Sequence, residues 1–132
     1  MESNLLAEGH GHVYFCEKSH NASKMVYQNL TKTRFEKQAT VIEKDYKDCL
    51  KKLKNENISF DIIYIDPPYK MDYAVDSVKR ILELNLLQKN GTIIIETDEE
   101  AREIKELKQI GLEASDLRKY GRVSLIFLNW KE

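Results

Sequence analysis

The sequence predicts an α/β fold with a mostly parallel sheet, and three observations predict it. Segments typical of strands alternate with segments typical of helices from residue 12 onwards. The strands at 60–66 and 91–98 are apolar on both sides, as parallel strands covered on two faces usually are. The 132 residues are 42% apolar and 33% charged, which fits a single globular domain over 1–132.

Each predicted element follows from hydrophobic spacing. HVYFCE (12–17) is a short apolar run typical of a strand, and apolar residues at helical intervals predict a helix over 19–35. The same reasoning gives strands at 39–45, 60–66 and 91–98, and helices at 46–54, 73–87 and 99–109. The last two apolar segments, EASDLRKYG and VSLIFLNW, meet at Gly121 and predict an antiparallel hairpin.

Composition excludes several classes of protein. A net charge of −1 gives no general attraction to nucleic acid, so any RNA contact needs a local patch, such as residues 44–54 or the cluster around Arg118 and Lys119. A solvated helix face accounts better for residues 44–54. No stretch approaches the ~18 apolar residues of a membrane span. The widely spaced Cys16 and Cys49 predict neither a disulfide nor a zinc site, which fits a reduced cytoplasm.

Acidic residues follow several of the predicted strands. Glu17, Asp45 and Asp66 each stand at the carboxyl end of one. In open α/β sheets, ligands bind beyond this edge. The sequence therefore predicts a binding site there. His10 and His12 form a pair without a nearby third ligand, so we expect ordinary polar histidines and no metal.

The tetrad Asp66-Pro67-Pro68-Tyr69 carries the most specific chemistry. Each proline fixes its own φ and favours extended geometry in the residue before it. The Asp66 carboxylate and the Pro67 carbonyl are then two acceptors for the two hydrogens of a nucleobase amine, and Tyr69 offers a face for stacking. A proline-stiffened turn without function is the alternative.

These residues give the chain a resemblance to the RsmD family, which are class I S-adenosylmethionine-dependent methyltransferases of bacteria that act on guanine N2 in 16S rRNA. The stretches that carry it are VYFCEKSHNASKMVYQNL, the acid after TVIEK, FDIIYIDPPYK and LRKYGRVSLIFL. The resemblance covers essentially the whole chain. It implies a Rossmann-like sheet, S-adenosylmethionine as cofactor and 16S rRNA or the small ribosomal subunit as partner.

The resemblance also implies roles for individual residues. Glu17 would accept the cofactor ribose hydroxyls, and Asp45 would accept the adenine amine, although a helix cap explains Asp45 equally well. Asp66 would hold the guanine amine beside the cofactor, together with Pro67, Pro68 and Tyr69. Arg118 and Lys119 would contact RNA phosphates, unless they only protect a sheet edge.

One part of the family pattern has no counterpart. The family begins with a strand and a glycine-rich loop, whereas residues 1–15 resemble the tail of the following helix, and Gly9 and Gly11 precede a strand. The first strand is therefore expected to be missing from the centre of the sheet. The chain would then be a fragment, or the two open edges would meet, or another chain would fill the gap in an oligomer. A non-catalytic remnant and a DNA adenine-N6 methyltransferase are the competing functions.

Overall fold

The computed structural model describes residues 5–9, 11–16, 28, 38–66 and 73–129. These residues form one seven-stranded sheet with helices packed on it. The strands are β1 (Leu5–Gly9), β2 (His12–Cys16), β3 (Ala39–Ile42), β4 (Phe60–Ile65), β5 (Leu87–Thr97), β6 (Asp116–Tyr120) and β7 (Val123–Asn129). The helices are α1 (Tyr46–Asn55), α2 (Ala74–Glu83) and α3 (Glu100–Gln109). The helix predicted over 19–35 lies outside the described residues.

The strand order is β3-β2-β1-β4-β5-β7-β6. β2 and β3 are parallel, as are β4 and β5, while β1 runs antiparallel to both β2 and β4. β7 is antiparallel to β5 and to β6. Thus β2 to β6 point in one direction, and only β1 and β7 point in the other. The predicted α/β fold with a closing antiparallel hairpin is confirmed. Five of the seven strands share a direction as predicted, but the sheet is mixed, because the reversed β1 leaves only β2–β3 and β4–β5 as parallel pairs.

The centre of the sheet differs from the expectation. The chain's own β1 occupies the place between β2 and β4, so the predicted gap is absent, and residues 5–9 are a strand instead of the tail of a helix. Ala7 pairs with Tyr14 on one side and Ile63 on the other. LLAEG alternates between buried and half-buried positions, which is the strand pattern. No second chain is needed to satisfy these backbone groups.

The helices cover one face of the sheet. β4, β5 and β7 turn Ile63, Ile65, Ile93, Ile95 and Ile126 towards that face, and each is at most 1% exposed. The amphipathic helices bury matching residues against them: Cys49, Leu50 and Leu53 of α1, Val75, Val78 and Ile81 of α2, and Leu107 of α3. This single core fixes the positions of the strand ends.

The two cysteines are joined in a disulfide, which corrects the expectation of free thiols. Cys16 ends β2 and Cys49 lies on the buried face of α1, with a Cα–Cα distance of 6.2 Å. The sequence separation of 33 residues conceals this contact, because β3 and α1 return the chain to β2. The disulfide ties the carboxyl end of β2 to the helix that follows β3.

Several element boundaries differ from the prediction, and β5 begins at Leu87 instead of residue 91. The predicted helix over 73–87 ends at Glu83, because Asn85 adopts a left-handed backbone with φ 55° and β5 already begins at Leu87. β3 ends at Ile42, since Asp45 serves as the cap of α1. Within the described residues, no helix combines the length and apolarity that a membrane span requires.

Candidate functional site

The carboxyl ends of β2, β3, β4 and β5 meet at one edge of the sheet, because these strands share a direction. Asp66 directly follows β4, and Asp45 follows β3 by three residues. Glu17 directly follows the described end of β2, and Pro67, Pro68 and Tyr69 follow Asp66, but all four lie outside the described residues. Their predicted roles remain predictions.

Asp66 is half-buried at this edge, and the register of β4 against β5 points to Glu96 of β5 as its neighbour. The last parallel pair of β4 and β5 is Ile65 with Ile95, so the residues that follow this pair in the two strands are expected to be neighbours. Adjacent strands are about 4.8 Å apart. A second carboxylate therefore stands next to the one that the sequence singled out.

Glu96 is held by the hydroxyl of Tyr64, which donates a hydrogen bond to its Oε1. Tyr64 lies in β4 next to buried Ile65, so strand alternation places it on the opposite face, two residues before Asp66. Sequence reasoning missed this pair. The signal in the sequence was an acid near the end of an apolar strand, TIIIETD, combined with a tyrosine inside the neighbouring strand.

Asp45 acts as the N-cap of α1. Its Oδ1 accepts a hydrogen bond of 2.9 Å from the backbone N–H of Asp48, with Asp45 itself in extended geometry. The helix-cap alternative is thus realised, and it engages one of the two carboxylate oxygens. Three strand spacings, about 14 Å in all, separate β3 from β4, the strands that Asp45 and Asp66 follow. An elongated ligand is required to reach both.

An aromatic pair joins the starts of two helices at this edge. The rings of Tyr46 and Tyr73 stack with centroids 4.2 Å apart and planes inclined by 11°. Tyr46 follows Asp45, and Tyr73 comes just before α2, after the segment that carries the tetrad. This contact links the start of the helix that Asp45 caps to the start of the helix that follows the tetrad in the chain, and no residue pattern predicted it.

Asp76 anchors the aromatic pair. It accepts a 2.7 Å hydrogen bond from the Tyr46 hydroxyl and a 2.8 Å bond from Arg80 Nε. Burial, together with the hydrogen bond to Asp76, raises the pKa of Tyr46 to about 12. Burial opposes ionisation of Asp76, but the hydrogen bonds from Arg80 and Tyr46 outweigh it and hold the pKa of that carboxyl below its usual value.

The glycines near the start of the described chain lie at the opposite edge. Gly9 ends β1 and pairs with His12, and Gly11 turns the chain with φ +76°. A Cβ at Gly9 would meet the carbonyl oxygen of Ser59 at 2.9 Å, so glycine is needed there for strand packing. These glycines are remote from Asp66 and cannot cradle a ligand beside it.

The histidine of this turn has a structural partner. His12 Nε2 lies 2.8 Å from the Thr40 hydroxyl, and the described residues contain no group of three metal-ligating side chains.

β6 is an exposed edge strand with basic side chains. Arg118 Nε lies 3.1 Å from Asp116 Oδ2, and its guanidinium lies over the ring of Phe127 at 5.4 Å. The hydrogen bond from the Leu117 N–H has the larger effect and that from the Arg118 side chain the next; together they hold the pKa of Asp116 below its usual value. Lys119 is aligned through Ser124 with Thr97, at the carboxyl end of β5. The basic pair therefore lies at the same edge as Asp66.

The strand order, together with acids at the carboxyl edge, defines a Rossmann-like methyltransferase fold. A conserved hypothetical protein of Streptococcus pyogenes superposes with a TM-score of 0.75 at 20% identity, over 92% of this chain and 72% of that one. An O-methyltransferase from Bacillus cereus, solved with SAH, gives 0.71 at 16% identity, over 92% and 64%. At these identities the likeness establishes the fold.

The family model described as conserved hypothetical protein 95 matches residues 5–129, so the chain belongs to this family, the RsmD family. It is similar to ribosomal RNA small subunit methyltransferase D of Haemophilus influenzae, with 30% identity over 67% of this chain and 46% of that protein. It also resembles the "putative rRNA methyltransferase YlbH" of Bacillus subtilis, with 30% identity over 72% and 52%. The chain thus spans about half the length of these curated relatives.

Proposed function

We propose that the chain is the acceptor-binding part of an S-adenosylmethionine-dependent RNA methyltransferase that modifies N2 of a guanine in 16S rRNA. The single observation that carries this proposal is the place of Asp66, directly after β4 at the carboxyl edge, in a chain of the RsmD family. The names of the two curated relatives support an rRNA substrate and, with it, the small ribosomal subunit as partner.

The acceptor amine would be held by the chain's own residues. The Asp66 carboxylate and the Pro67 carbonyl accept its two hydrogens, which frees the nitrogen lone pair for attack. Pro68 keeps this corner extended, and Tyr69 stacks on the base. The methylated amine would have to lose one of its hydrogens as a proton, and the Asp66 carboxylate would accept it.

The cofactor would lie along the same edge. The carboxylates of Asp45 and Glu17 would hold its adenosine end, with Asp45 using the oxygen that does not cap α1. When bound, S-adenosylmethionine supplies a methyl group on a positively charged sulfur. Among the described residues, no glycine-rich turn lies at this edge, so we assign no residue of the chain to the methionine end.

The basic side chains of β6 would contact the RNA backbone. Arg118 and Lys119 lie at the carboxyl edge, within about three strand spacings of Asp66, which a few nucleotides of RNA can span. Their charges supply attraction that the net charge of −1 does not.

The test compares methyl transfer and cofactor binding in matched variants. Transfer from labelled S-adenosylmethionine to small ribosomal subunits is measured for the chain and for Asp66→Ala, with Glu113→Ala as a control in the exposed loop before β6. We expect Asp66→Ala to abolish transfer, with the cofactor Kd from calorimetry changed less than about threefold. Full activity in Asp66→Ala would remove the amine-holding role.

The position of the glycines also favours a second function. Because Gly9 and Gly11 lie at the far edge, the chain could be a module that binds RNA and transfers nothing. Calorimetry separates the two functions. We expect cofactor binding weaker than that of the longer relatives, but accompanied by transfer, whereas RNA binding without any cofactor binding would establish the second function.

A further inference from the structure

We propose that Glu96 determines the specificity of the acceptor site, by accepting the N1–H of guanine while Asp66 accepts the N2 amine. This inference rests on the proposed function, because it concerns the same site. It assigns a role to a residue that the tetrad does not include.

The sheet places the two carboxylates side by side. Ile65 of β4 is in register with Ile95 of β5. Asp66 follows Ile65, and Glu96 follows Ile95. Glu96 belongs to β5 and follows buried Ile95, so alternation directs it to the opposite face of the sheet. Asp66 follows buried Ile65 and precedes a proline, which favours extended geometry and hence the same direction. Their backbones are about 4.8 Å apart, whereas N1 and N2 of guanine are about 2.3 Å apart, a difference that two side chains can bridge.

Tyr64 fixes the orientation of Glu96. Its hydroxyl donates to Oε1, and its ring lies on the same face, one strand away. A carboxylate held at one oxygen offers the other in a defined direction. Such preorganisation is what a site needs in order to read one hydrogen on a base edge.

The chemistry of purines explains why a second acceptor matters. Guanine presents adjacent donors, the N1–H and the N2 amine, whereas adenine presents its amine next to an N1 that accepts. A carboxylate at the position of Glu96 pairs with the first and repels the second. The Asp66 carboxylate would accept from any exocyclic amine, so Glu96 would supply the discrimination that Asp66 cannot.

Three nucleotides separate the roles of the two acids. Guanosine monophosphate carries both the N1–H and the N2 amine, inosine monophosphate carries only the N1–H, and 2-aminopurine riboside monophosphate carries only the amine. Dissociation constants are measured by NMR titration for the wild type, Glu96→Gln and Asp66→Asn. Glu113→Gln is the matched control, and thermal unfolding confirms that each variant is folded.

We expect the wild type to bind the guanine nucleotide roughly tenfold or more tightly than the 2-aminopurine nucleotide, as for one specific base contact. Glu96→Gln should reduce this ratio to about one, because its amide can donate to the N1 of 2-aminopurine. Asp66→Asn should weaken binding of both amine-bearing nucleotides and leave that of inosine monophosphate unchanged. Tyr64→Phe should shift the ratio in the same direction as Glu96→Gln, by a smaller factor.

The outcomes distinguish this inference from the proposed function. A guanine preference that survives in Glu96→Gln, with Asp66→Asn still weakening amine-bearing nucleotides, overturns the role of Glu96 alone. Equal binding of all three nucleotides by the wild type also overturns it. If Asp66→Asn changes nothing, or no nucleotide binds, the acceptor site itself is refuted and both proposals fail.

Discussion

The hydroxyl of Tyr46 donates a 2.7 Å hydrogen bond to the carboxylate of Asp76, which joins the first residue of α1 to the first turn of α2. The stacked ring of Tyr73 completes the contact. The segments that precede these helices carry Asp45 and the tetrad. This cluster therefore connects the helix that Asp45 caps with the helix that follows the tetrad in the chain.

Removing parts of the cluster should have graded effects on stability. Tyr46→Phe keeps the ring stack and loses one hydrogen bond, so we expect the free energy of unfolding to fall by about 1 kcal/mol. Tyr46→Ala also loses the stack and should cost more. Combined with Tyr73→Ala in a double-mutant cycle, it should show a coupling of roughly 0.5–1.5 kcal/mol. Urea unfolding measures both, and additive effects would contradict the stack.

The charge of Asp76 should make stability depend on acid pH. Its folded pKa lies below the ordinary value, so ionised Asp76 stabilises the fold above the unfolded pKa of about 3.9, and this contribution is lost as pH falls through the folded value. Between about pH 5 and pH 3, the wild type should therefore lose more unfolding free energy than Asp76→Asn. Parallel curves in urea titrations over this range would refute the pairing.

Two neighbouring leucines of β1 test its place in the sheet. Leu5 is 1% exposed in the core, whereas Leu6 is only half-buried on the other face. Leu5→Ala should lower the free energy of unfolding by about 2–5 kcal/mol and Leu6→Ala by clearly less. Similar losses, or a larger loss for Leu6→Ala, would be incompatible with β1 between β2 and β4.

The disulfide should be measurable directly and through stability. Intact mass of the non-reduced protein should be lower by two hydrogen atoms than after denaturation and reduction. A cross-link spanning 33 residues stabilises by about 3–4 kcal/mol in the chain-entropy model, so Cys49→Ala should unfold at lower urea concentration. Wild type assayed with reductant should approach the variant. An unchanged mass on reduction would show that the bond does not form.

RNA binding through β6 should respond to salt. Lys119→Gln removes one proposed phosphate contact, so the slope of log affinity against log salt should decrease by about 0.7–0.9. Lys108→Gln, in the last turn of α3, is the matched control and should leave the slope unchanged. Fluorescence anisotropy with a labelled 16S rRNA fragment gives both values. Identical slopes for wild type and Lys119→Gln would leave Lys119 as an edge-protecting residue.

Local patterns predicted most of the fold. The helix predicted at 46–54 forms at Tyr46–Asn55, and the hairpin at Gly121 forms between β6 and β7, because spacing and turn chemistry act over a few residues. The prediction for the short LLAEG segment was wrong. LLAEG forms a strand because it pairs with β2, which follows it directly, and with β4, which lies more than fifty residues further along the chain. Such pairing leaves little trace in five residues.

The candidate site was predicted in the same uneven way. Asp66 and Asp45 were found because an acid after a strand is a local signal, and both stand at the predicted edge. Glu96 was missed because its importance depends on the register of β4 against β5. The disulfide was missed because two cysteines that are distant in sequence become neighbours only when the core forms. Local residue patterns could therefore not predict which residues of different strands and helices contact one another.

The turn between Gly9 and His12 has a consequence for how the molecule folds. It makes the middle of the sheet a hairpin of consecutive residues, in which two residues separate the paired Gly9 and His12, as two residues separate Tyr120 and Val123 in the β6–β7 hairpin. Hairpins of this kind form in about 1–10 μs, whereas β4 must arrive from more than forty residues away. We therefore expect the β1–β2 and β6–β7 hairpins to form first, and the central one to serve as the template on which β4 and then β5 are added.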